Sequence, residues 1–569
     1  MSGPGDRAPK TLSPREPTCS LPAEGHGRDP IRVGVDTRFS PGSKSSARSH
    51  QASAREPGDL DVALPVMVSG EPPQEGEKPQ VGATIVEKSD EVIVPKKSSK
   101  TWVTPVESME GRAEAEGKSV ARNASSTPSE HDALTFLQRI RERAKQKPEE
   151  KWTNLLSHMR VPLLKEAYQR LRKNAAAGVD EVTWDEYGER LDERLHDLEG
   201  RVHRGSYHPQ PVRRVLIPKG DGKLRPLGIP ALEDKIVQQA AQMVLEPIYE
   251  AEFIGISYGF RPGRSQHDAL DALAEAIERK VSWVLDADIE AFFDTIDHRH
   301  LQAFLEHRIG DTRMVRLLMK WAKAGVMEEG KRHETDRGTP QGGIISPLMS
   351  NLYLHYVLDL WVLSWRKKQA SGEMYVVRYA DDFVMAFQKE QDAVAMRKAL
   401  DERMAHFALK LHPQKTRVIE FGRFARASRA GRGLAKPETF DFLGFTHIAG
   451  ISRTGKFQLK RRTSRKKRRA KLARITEESE RRRHQAVKEQ YGWICSVLVG
   501  HYRYYAVPTN YRALAQFRYA VRCIWHRSLQ RRSQRAGWNA AQYSAFEKLF
   551  PLPPPRILHP WPERRFALR

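Results

Sequence analysis

The sequence predicts an α+β protein in which a central mixed domain is followed by a strongly basic helical region. Strand-like and helical apolar patterns alternate between about residues 201 and 450, a mixture typical of α+β domains. The strand-like runs are Val212–Ile217, Val281–Ile289 and Met374–Phe387, and the helical runs are Ile236–Tyr249 and Gln266–Lys280. Between Ile451 and Gln490, 16 Lys and Arg residues stand against 4 Glu residues, which indicates that a basic domain follows the mixed one.

The net charge indicates a polyanionic partner. The chain has 569 residues, more than a single core usually holds, and its 96 Lys and Arg against 71 Asp and Glu give a formal charge of +25. No apolar run is long enough to span a bilayer, and the N-terminal MSGPGDRAPK lacks the apolar stretch of a secretory signal. The three cysteines form no CxxC pair, so no disulfide scaffold or zinc module is indicated. We therefore expect a nucleic-acid-binding protein of the bacterial cytoplasm or nucleoid, without membrane contact.

Composition divides the chain into five segments. The first is rich in Pro, Gly, Ser and charge, so we expect disorder there, with a partner-binding tail as the alternative. The second contains two stretches with helical spacing, Ala133–Ala144 and Leu155–Leu171. The predicted segments are a disordered extension (1–130), a helical extension (131–200), the mixed domain (201–448), the basic helical domain (449–545) and a proline-rich, extended tail (546–569).

The clearest chemical signal is the sequence Tyr379-Ala380-Asp381-Asp382. Apolar strand-like residues flank it on both sides, so it should form the tip of a β-hairpin. Two adjacent carboxylates repel each other, and bound divalent cations would remove that repulsion. Asp-Asp is also ordinary turn chemistry, so this motif alone does not establish a metal site.

A second acidic position follows another apolar strand. Val281–Leu285 leads into Asp286-Ala287-Asp288, and a carboxylate ending a buried strand is costly unless it is paired or bound to a metal. Side-chain alternation places both aspartates on one face, so spacing does not choose between them. Asp294 and Asp297, a few residues later, are expected to be turn or helix-capping residues.

These motifs, taken in order, resemble those of reverse transcriptases encoded by group II introns. Asp288-Ile289 and Phe293-Asp294, followed by Tyr379-Ala380-Asp381-Asp382, are similar to that family's catalytic carboxylate set. The resemblance extends from about Ala133 to Trp561. Its further blocks are Lys173-Asn174 with Gly178 and Asp180, residues 217–230, Ser257–Arg264, Gly338–Gly343 with Ser346-Pro347, Leu409 to Thr416, Phe440–Phe445, and the aromatic residues from Gly492-Trp493 to Tyr504-Tyr505.

The resemblance implies a right-hand polymerase fold, with fingers, palm and a helical thumb and maturase domain, that copies RNA into DNA. It implies two Mg²⁺ ions, which would be bridged by Asp288 and Asp381 and assisted by Asp382. It also makes Lys415 a candidate proton donor to pyrophosphate. Nucleotide contacts are implied for Lys219 and Arg225 (triphosphate), Gln341 (sugar), Phe293 (exclusion of a ribose 2′-hydroxyl) and Tyr379. Taken singly, Phe293 would be a core residue and each lysine a solvated surface residue.

The basic cluster after the palm is expected to contact the template–primer backbone, with a solvated face as the alternative. Most of the aromatic residues that follow should pack a helical core, while a minority could stack on unpaired bases. The expected partners are group II intron RNA, an RNA template with a DNA primer, a DNA target and dNTPs, bound by a monomer or a dimer. The residues of the cluster are Arg461, Arg462, Arg465, Lys466, Lys467, Arg468 and Arg469.

Three other functions compete with this interpretation. An RNA-binding splicing factor without polymerase activity, or a purely structural nucleic-acid scaffold, would not need the intact set Asp288, Asp381 and Asp382. A domesticated reverse transcriptase, acting in defence or in a retron, would keep it. No paired-cysteine HNH motif occurs in the sequence, so we do not expect DNA cleavage by this chain.

Overall fold

The computed structural model describes residues 128–218, 224–328, 331–333, 337–532 and 537–562. Nearly all of the predicted N-terminal extension lies outside the described residues, and so does Lys219. Arg225 is described as a strand position only. Within these ranges, no helix is long and apolar enough to cross a membrane.

Helices and strands alternate through the described ranges. The strands are β1 (Val212–Pro218), β2 (Leu224–Ile229), β3 (Trp283–Asp288), β4 (Val326–Glu328), β5 (Lys331–His333), β6 (Met374–Tyr379), β7 (Asp382–Phe387), β8 (Arg417–Glu420), β9 (Thr439–Phe442), β10 (Phe445–Ile451) and β11 (Phe457–Thr463). The helices are α1 (Pro128–Gln146), α2 (Val161–Arg170), α3 (Trp184–Gly188), α4 (Leu191–Arg204), α5 (Leu232–Glu250), α6 (Gln266–Glu278), α7 (Phe292–Thr295), α8 (His298–Arg308), α9 (Thr312–Ala322), α10 (Ser346–Leu354), α11 (Leu360–Lys368), α12 (Glu390–His406), α13 (Ala425–Gly431), α14 (Arg465–Arg481), α15 (Val487–Tyr505), α16 (Tyr511–Gln530) and α17 (Ala540–Leu549).

The N-terminal helices pack against α5, whose residues are buried along most of its length. The helix predicted over Leu155–Leu171 is wrong at its start, because a 3₁₀ turn at Leu156–His158 precedes α2. Pro162 stands in the first turn of α2, where its missing N–H costs nothing. The apolar residues keep helical spacing across this break, so the spacing alone does not show where α2 begins.

The central sheet is antiparallel, with strand order β6-β7-β3-β8. β6 and β7 form the predicted hairpin, and β3 pairs with β7 along its whole length. Apolar residues of this sheet face two cores, one shared with α5, α8 and α10 and the other with α6 and the C-terminal sheet. A second, four-stranded sheet has the order β2-β1-β4-β5.

The C-terminal region begins as a sheet, which corrects the prediction of a helical domain from residue 449. Strands β9, β10 and β11 form an antiparallel sheet, and the boundary predicted at 448/449 falls inside β10. Helices α14, α15 and α16 follow and share a core in which Tyr502, Phe517 and Trp525 are buried. Residues 551–561 contain no helix or strand, as expected for an extended tail, but α17 covers the first four residues of the predicted tail (546–569). The carbonyl oxygen of Pro553 accepts hydrogen bonds from Tyr502 Oη and Arg518 Nε.

A buried ion pair ties the C-terminal sheet to α6. Arg461 Nη1 on β11 lies 2.7 Å from Asp271 Oδ1, and both side chains are 4% exposed. The prediction that Arg461 contacts phosphate is therefore wrong. Its charge is committed to Asp271, whereas the neighbouring Arg462 is exposed. Charge counting could not separate the two residues, because alternation along a strand turns adjacent side chains to opposite faces.

Removing Arg461 should destabilise the fold, whereas removing Arg462 should not. Arg461→Ala removes the ion-pair partner of the buried Asp271 carboxylate, a defect that costs about 3–5 kcal/mol. Chemical denaturation of Arg461→Ala and of the adjacent control Arg462→Ala measures the difference. The double variant Arg461→Met/Asp271→Leu should recover most of the lost stability, because no charge remains buried. Equal stability of the two single variants would contradict this role.

Candidate active site

Asp381 and Asp382 lie at the tip of the β6–β7 hairpin. Tyr379 pairs with Asp382 in the ladder, so the turn consists of Ala380 and Asp381 alone. Ala380 has φ 58°, the positive value that the first central residue of a tight hairpin turn requires. This backbone places the two half-buried aspartates at the end of a strand pair that is otherwise buried.

Asp288 lies directly opposite Asp382. The last residue pair of the β3–β7 ladder joins these two aspartates, which brings together motifs separated by about ninety residues. Asp286 is two residues earlier on β3, opposite Val384, and its carboxylate lies 3.8 Å from Arg417 Nε. Register therefore places Asp288 at the hairpin tip and Asp286 deeper, beside an arginine, although both line the same cavity as Asp382.

The electrostatics of this cluster indicate excess negative charge. The pKa of Asp382 is raised to about 8, mainly by burial and in addition by the nearby carboxylates of Asp286, Asp381 and Asp288. Burial raises the pKa of Asp286 to about 6, against the opposing effect of Arg417. A cation near these groups would favour their charged forms.

Lys415 lies at the carboxylate cluster, as its motif predicted. Its Nζ is 2.6 Å from Asp288 Oδ2, and both side chains are partly exposed. The backbone of this segment runs beside the end of β3: His412 N donates to Asp288 O at 2.8 Å. Thr416 is buried, and its Oγ1 accepts a 3.4 Å hydrogen bond from Asp288 N. The segment therefore fixes both the backbone and the carboxylate of Asp288.

A buried network below the turn was not identified in the sequence. Arg378 is fully buried on β6, and its guanidinium donates to both carboxylate oxygens of Asp359 at 2.7 and 2.5 Å. Its Nη1 also donates to Asn351 Oδ1 at 2.9 Å and to the carbonyl oxygen of Ala380 at 3.0 Å. Asn351 Nδ2 in turn donates to Gly259 O at 2.7 Å. A Cβ at Gly259 would lie 2.4 Å from Ala380 N, so only glycine allows this contact. An arginine within a strand gives no sequence signal for such a role.

Gln341 lies where the β2-β1-β4-β5 sheet meets the loop before α10. The carbonyl oxygen of Gln341 accepts a 2.6 Å hydrogen bond from Gly228 N on β2. Gly342 has φ 120°, and a Cβ there would meet Gly228 O at 2.3 Å, so close approach requires glycine. A cavity of about 260 Å³ opens beside this contact, lined by residues that include Arg214, Asp294, Thr339 and Gln341.

Phe293 and Tyr379 are both half-buried, and Tyr379 pairs with Asp382 in the hairpin. Phe293 packs edge-on against Phe292 at 5.5 Å between ring centroids, and its carbonyl oxygen accepts from Thr339 N at 2.8 Å. Tyr379 has a pKa raised by burial, and its ring lies 6.4 Å from that of Phe260. Asp297 caps α8 by accepting from Arg299 N, as expected. Asp294 is exposed in the short helix α7.

The basic cluster is mostly accessible. Arg462, Arg465, Lys466, Lys467 and Arg469 are exposed on β11 and α14. Arg468 is half-buried and donates to Gln516 Oε1 at 2.7 Å. A cavity of about 840 Å³ connects the cluster with the carboxylates, since Lys467 lines it together with Asp288, Asp382 and Asp441. Two of the aromatic residues in the helical region, Tyr511 and Tyr519, are 53% and 62% exposed.

The donor set of the site fits a hard divalent cation. Mg²⁺ prefers carboxylate oxygens, and Asp288, Asp381 and Asp382 supply them around one hairpin tip. Within the described ranges, however, no three or more His, Cys, Asp or Glu side chains are already gathered closely enough to hold an ion. Asp288 is engaged by Lys415, so ion binding would require that the ammonium group withdraw.

Comparisons with known proteins agree with this geometry. Residues 217–447 match the family model of reverse transcriptase (RNA-dependent DNA polymerase). The matched range contains all three aspartates of the hairpin site, the loop with Gln341, and the buried network around Arg378.

Similar curated proteins come from introns or carry no functional description in their names. The chain is 41% identical to protein YkfC of Escherichia coli K12 over 37% of its own length and 62% of that protein. It is 39% identical to the group II intron-encoded protein LtrA of Lactococcus lactis subsp. cremoris, over 41% of this chain and 39% of LtrA. A putative COX1/OXI3 intron 2 protein of Saccharomyces cerevisiae is 34% identical over 35% of this chain and 23% of that protein.

The alignments span less than two thirds of each of these relatives. The chain therefore carries a reverse transcriptase domain at residues 217–447, and it is similar to a group II intron-encoded protein and to other intron proteins.

Proposed function

We propose that this protein is an RNA-directed DNA polymerase that copies its host intron RNA into DNA and binds that RNA to assist splicing and mobility. The observation that carries the proposal is the ladder pair Asp288–Asp382 beside Asp381, within the reverse transcriptase domain. A splicing factor without polymerase activity or a structural scaffold would have no use for three carboxylates in this arrangement. A domesticated reverse transcriptase remains the second candidate, because it would share the same site.

In the proposed reaction, the primer 3′-oxygen attacks the α-phosphate of a dNTP and pyrophosphate leaves. Two Mg²⁺ ions, held by Asp288, Asp381 and Asp382, would activate the attacking oxygen and stabilise the charge on phosphorus. Lys415 lies 2.6 Å from Asp288, within reach of the same centre. Its ammonium can turn from Asp288 to the leaving pyrophosphate and donate a proton there.

The fingers sheet and the Gln341 loop would form the nucleotide pocket. By the family resemblance, Lys219 and Arg225 would hold the triphosphate. Arg225 is a position on β2. Gln341 would contact the sugar from the cavity beside Gly228. The ring of Phe293 would occupy the space that a ribose 2′-hydroxyl needs and would thereby exclude ribonucleotides. Tyr379 would contact the nucleotide from the β6–β7 hairpin.

The exposed part of the basic cluster would hold the template–primer and the intron RNA. Phosphate neutralisation by Lys and Arg dominates such affinity. Because Lys467 lines the cavity that also contains the carboxylates, the duplex can pass from the cluster to the metal site. Tyr511 and Tyr519 are exposed and would be available to stack on unpaired bases.

Replacing Asp381 or Asp382 with Asn should abolish Mg²⁺-dependent DNA synthesis on an RNA template. The amide keeps the shape but loses the negative charge that binds the ions. Primer extension and RNA binding measured on the same preparations separate chemistry from binding, and binding should stay within about threefold. Asp401→Asn, an exposed aspartate on α12, is the control and should extend normally. Near-normal extension by purified Asp381→Asn would refute the assignment.

Neutralising the exposed cluster should weaken RNA binding and reduce its salt dependence. The variant changes Arg462, Arg465, Lys466 and Arg469 to Gln, and retains Lys467 because it lines the catalytic cavity. Each lost phosphate contact should reduce the slope of log affinity against log salt by about 0.7 to 0.9. Splicing assistance should fall more than single-turnover extension at saturating template–primer.

The control for this variant changes four exposed lysines outside the basic cluster to Gln. Lys367, Lys368 and Lys389 flank the end of the hairpin opposite the turn, and Lys398 lies on α12. The hairpin strands of six residues separate this end from the carboxylates by about 20 Å. An equal reduction of the slope in both variants would mean that the cluster has no special role.

A further inference from the structure

Phe260 is an exposed aromatic residue with a strained backbone beside the catalytic turn. Its side chain is 58% exposed, and its φ is 57°. A bulky residue in the left-handed region is an outlier, and an exposed phenyl ring forgoes burial in the core. Strain of this kind concentrates at functional sites. The backbone strain and the exposed ring both occur at Phe260, which indicates that this residue has a function other than packing.

The backbone before Phe260 is bound to the strand that carries the turn. Tyr258 N donates to Arg378 O at 2.9 Å, and Arg378 N donates to Ile256 O at 2.8 Å. Gly259 then touches the turn itself at Ala380, and its carbonyl oxygen is held by Asn351. The position of Phe260 is therefore fixed relative to Asp381 by the same network that holds the turn.

The residue after Phe260 is anchored in the interior. Arg261 is buried, and its guanidinium donates to Glu250 and to the carbonyl oxygens of Ile254 and Ser257 at 2.7 and 2.9 Å. With Gly259 fixed on one side and Arg261 on the other, the chain can pass only with Phe260 turned outward. Its ring lies 6.4 Å from that of Tyr379, at an angle of 41°. The two rings form one accessible apolar surface next to the carboxylates.

We propose that Phe260 contacts the terminal nucleotide of the primer strand and holds its 3′ end against the catalytic turn. This inference rests on the proposed polymerase function. The metal-binding carboxylates must lie at the primer 3′-oxygen, so the strand that ends beside Ala380 and Asp381 is the primer. Sugar and base faces are the apolar parts of a nucleic acid strand, and an aromatic ring packs against them without regard to sequence. Phe260 and Tyr379 present such a surface.

Phe260→Ala should weaken binding of a recessed DNA primer on an RNA template by about 5- to 150-fold, the range measured for loss of one aromatic–base contact. Binding of single-stranded RNA alone should not change. Phe260→Trp should bind the duplex within about threefold of the natural protein, because it keeps a ring. The control is Phe424→Ala, which removes another phenyl ring that is also 58% exposed and should bind normally.

Phe260→Gly separates the binding role from a structural one. Glycine accepts a positive φ without strain, so the melting temperature of Phe260→Gly should be no lower than that of Phe260→Ala. Duplex affinity should nevertheless fall as it does for alanine. A structural role predicts the opposite, with affinity following stability across the variants. Duplex affinity unchanged in folded Phe260→Ala or Phe260→Gly would overturn the proposal.

Two further outcomes distinguish a failure of the primer assignment from a failure of the proposed polymerase function. An equal loss of affinity for single-stranded RNA would place Phe260 on the template and overturn the primer assignment. Natural protein that binds the duplex but adds no dNTP would refute the proposed polymerase function. The contact of Phe260 would still be judged by the binding ratios, since these are measured without dNTPs.

Discussion

The turn formed by Ala380 and Asp381 depends on one buried cation, the guanidinium of Arg378. An isolated charge without access to water is costly, but here Asp359 supplies the opposite charge in a two-point contact. The remaining Nη1 donor is shared by Asn351 and by the carbonyl oxygen of Ala380. Ala380 has a positive φ, a conformation that persists only where its surroundings enforce it. Arg378 provides that enforcement from below the turn.

Three close backbone approaches assemble the site around this turn. Gly259 contacts Ala380 in the turn, and strand β2 contacts the loop of Gln341 and Gly342. The segment from His412 to Thr416, which contains Lys415, runs along the end of β3. Each joins elements distant in sequence to the two strands that carry the aspartates. The hairpin therefore fixes the relative positions of the carboxylates, the cavity beside Gln341 and the exposed ring of Phe260. Geometry of this kind favours transfer between fixed reactants, because positioning reduces the entropy lost on reaching the transition state.

The sequence predicted the parts of the site that interrupt a pattern. Asp288 and the pair Asp381-Asp382 follow apolar strand residues, so they stood out, and the structure brings them together. The buried network did not stand out, because Arg378 and Asn351 lie in segments where a polar residue is ordinary. Arg461 was misjudged for a related reason: a count of charges cannot reveal which one is buried against Asp271. The start of α2 was missed because helical spacing continues across the break before Pro162.

The central claim is that Arg378 positions the turn rather than merely stabilising the palm. The most direct measurement is single-turnover dNTP incorporation by the double variant Arg378→Met/Asp359→Leu. Removing both charges leaves no unpaired ion, so the folded state should survive, as its denaturation midpoint will report. The account predicts an incorporation rate lowered at least about tenfold, with template–primer affinity within about threefold of the natural protein. A folded double variant that incorporates dNTP at the natural rate would contradict it.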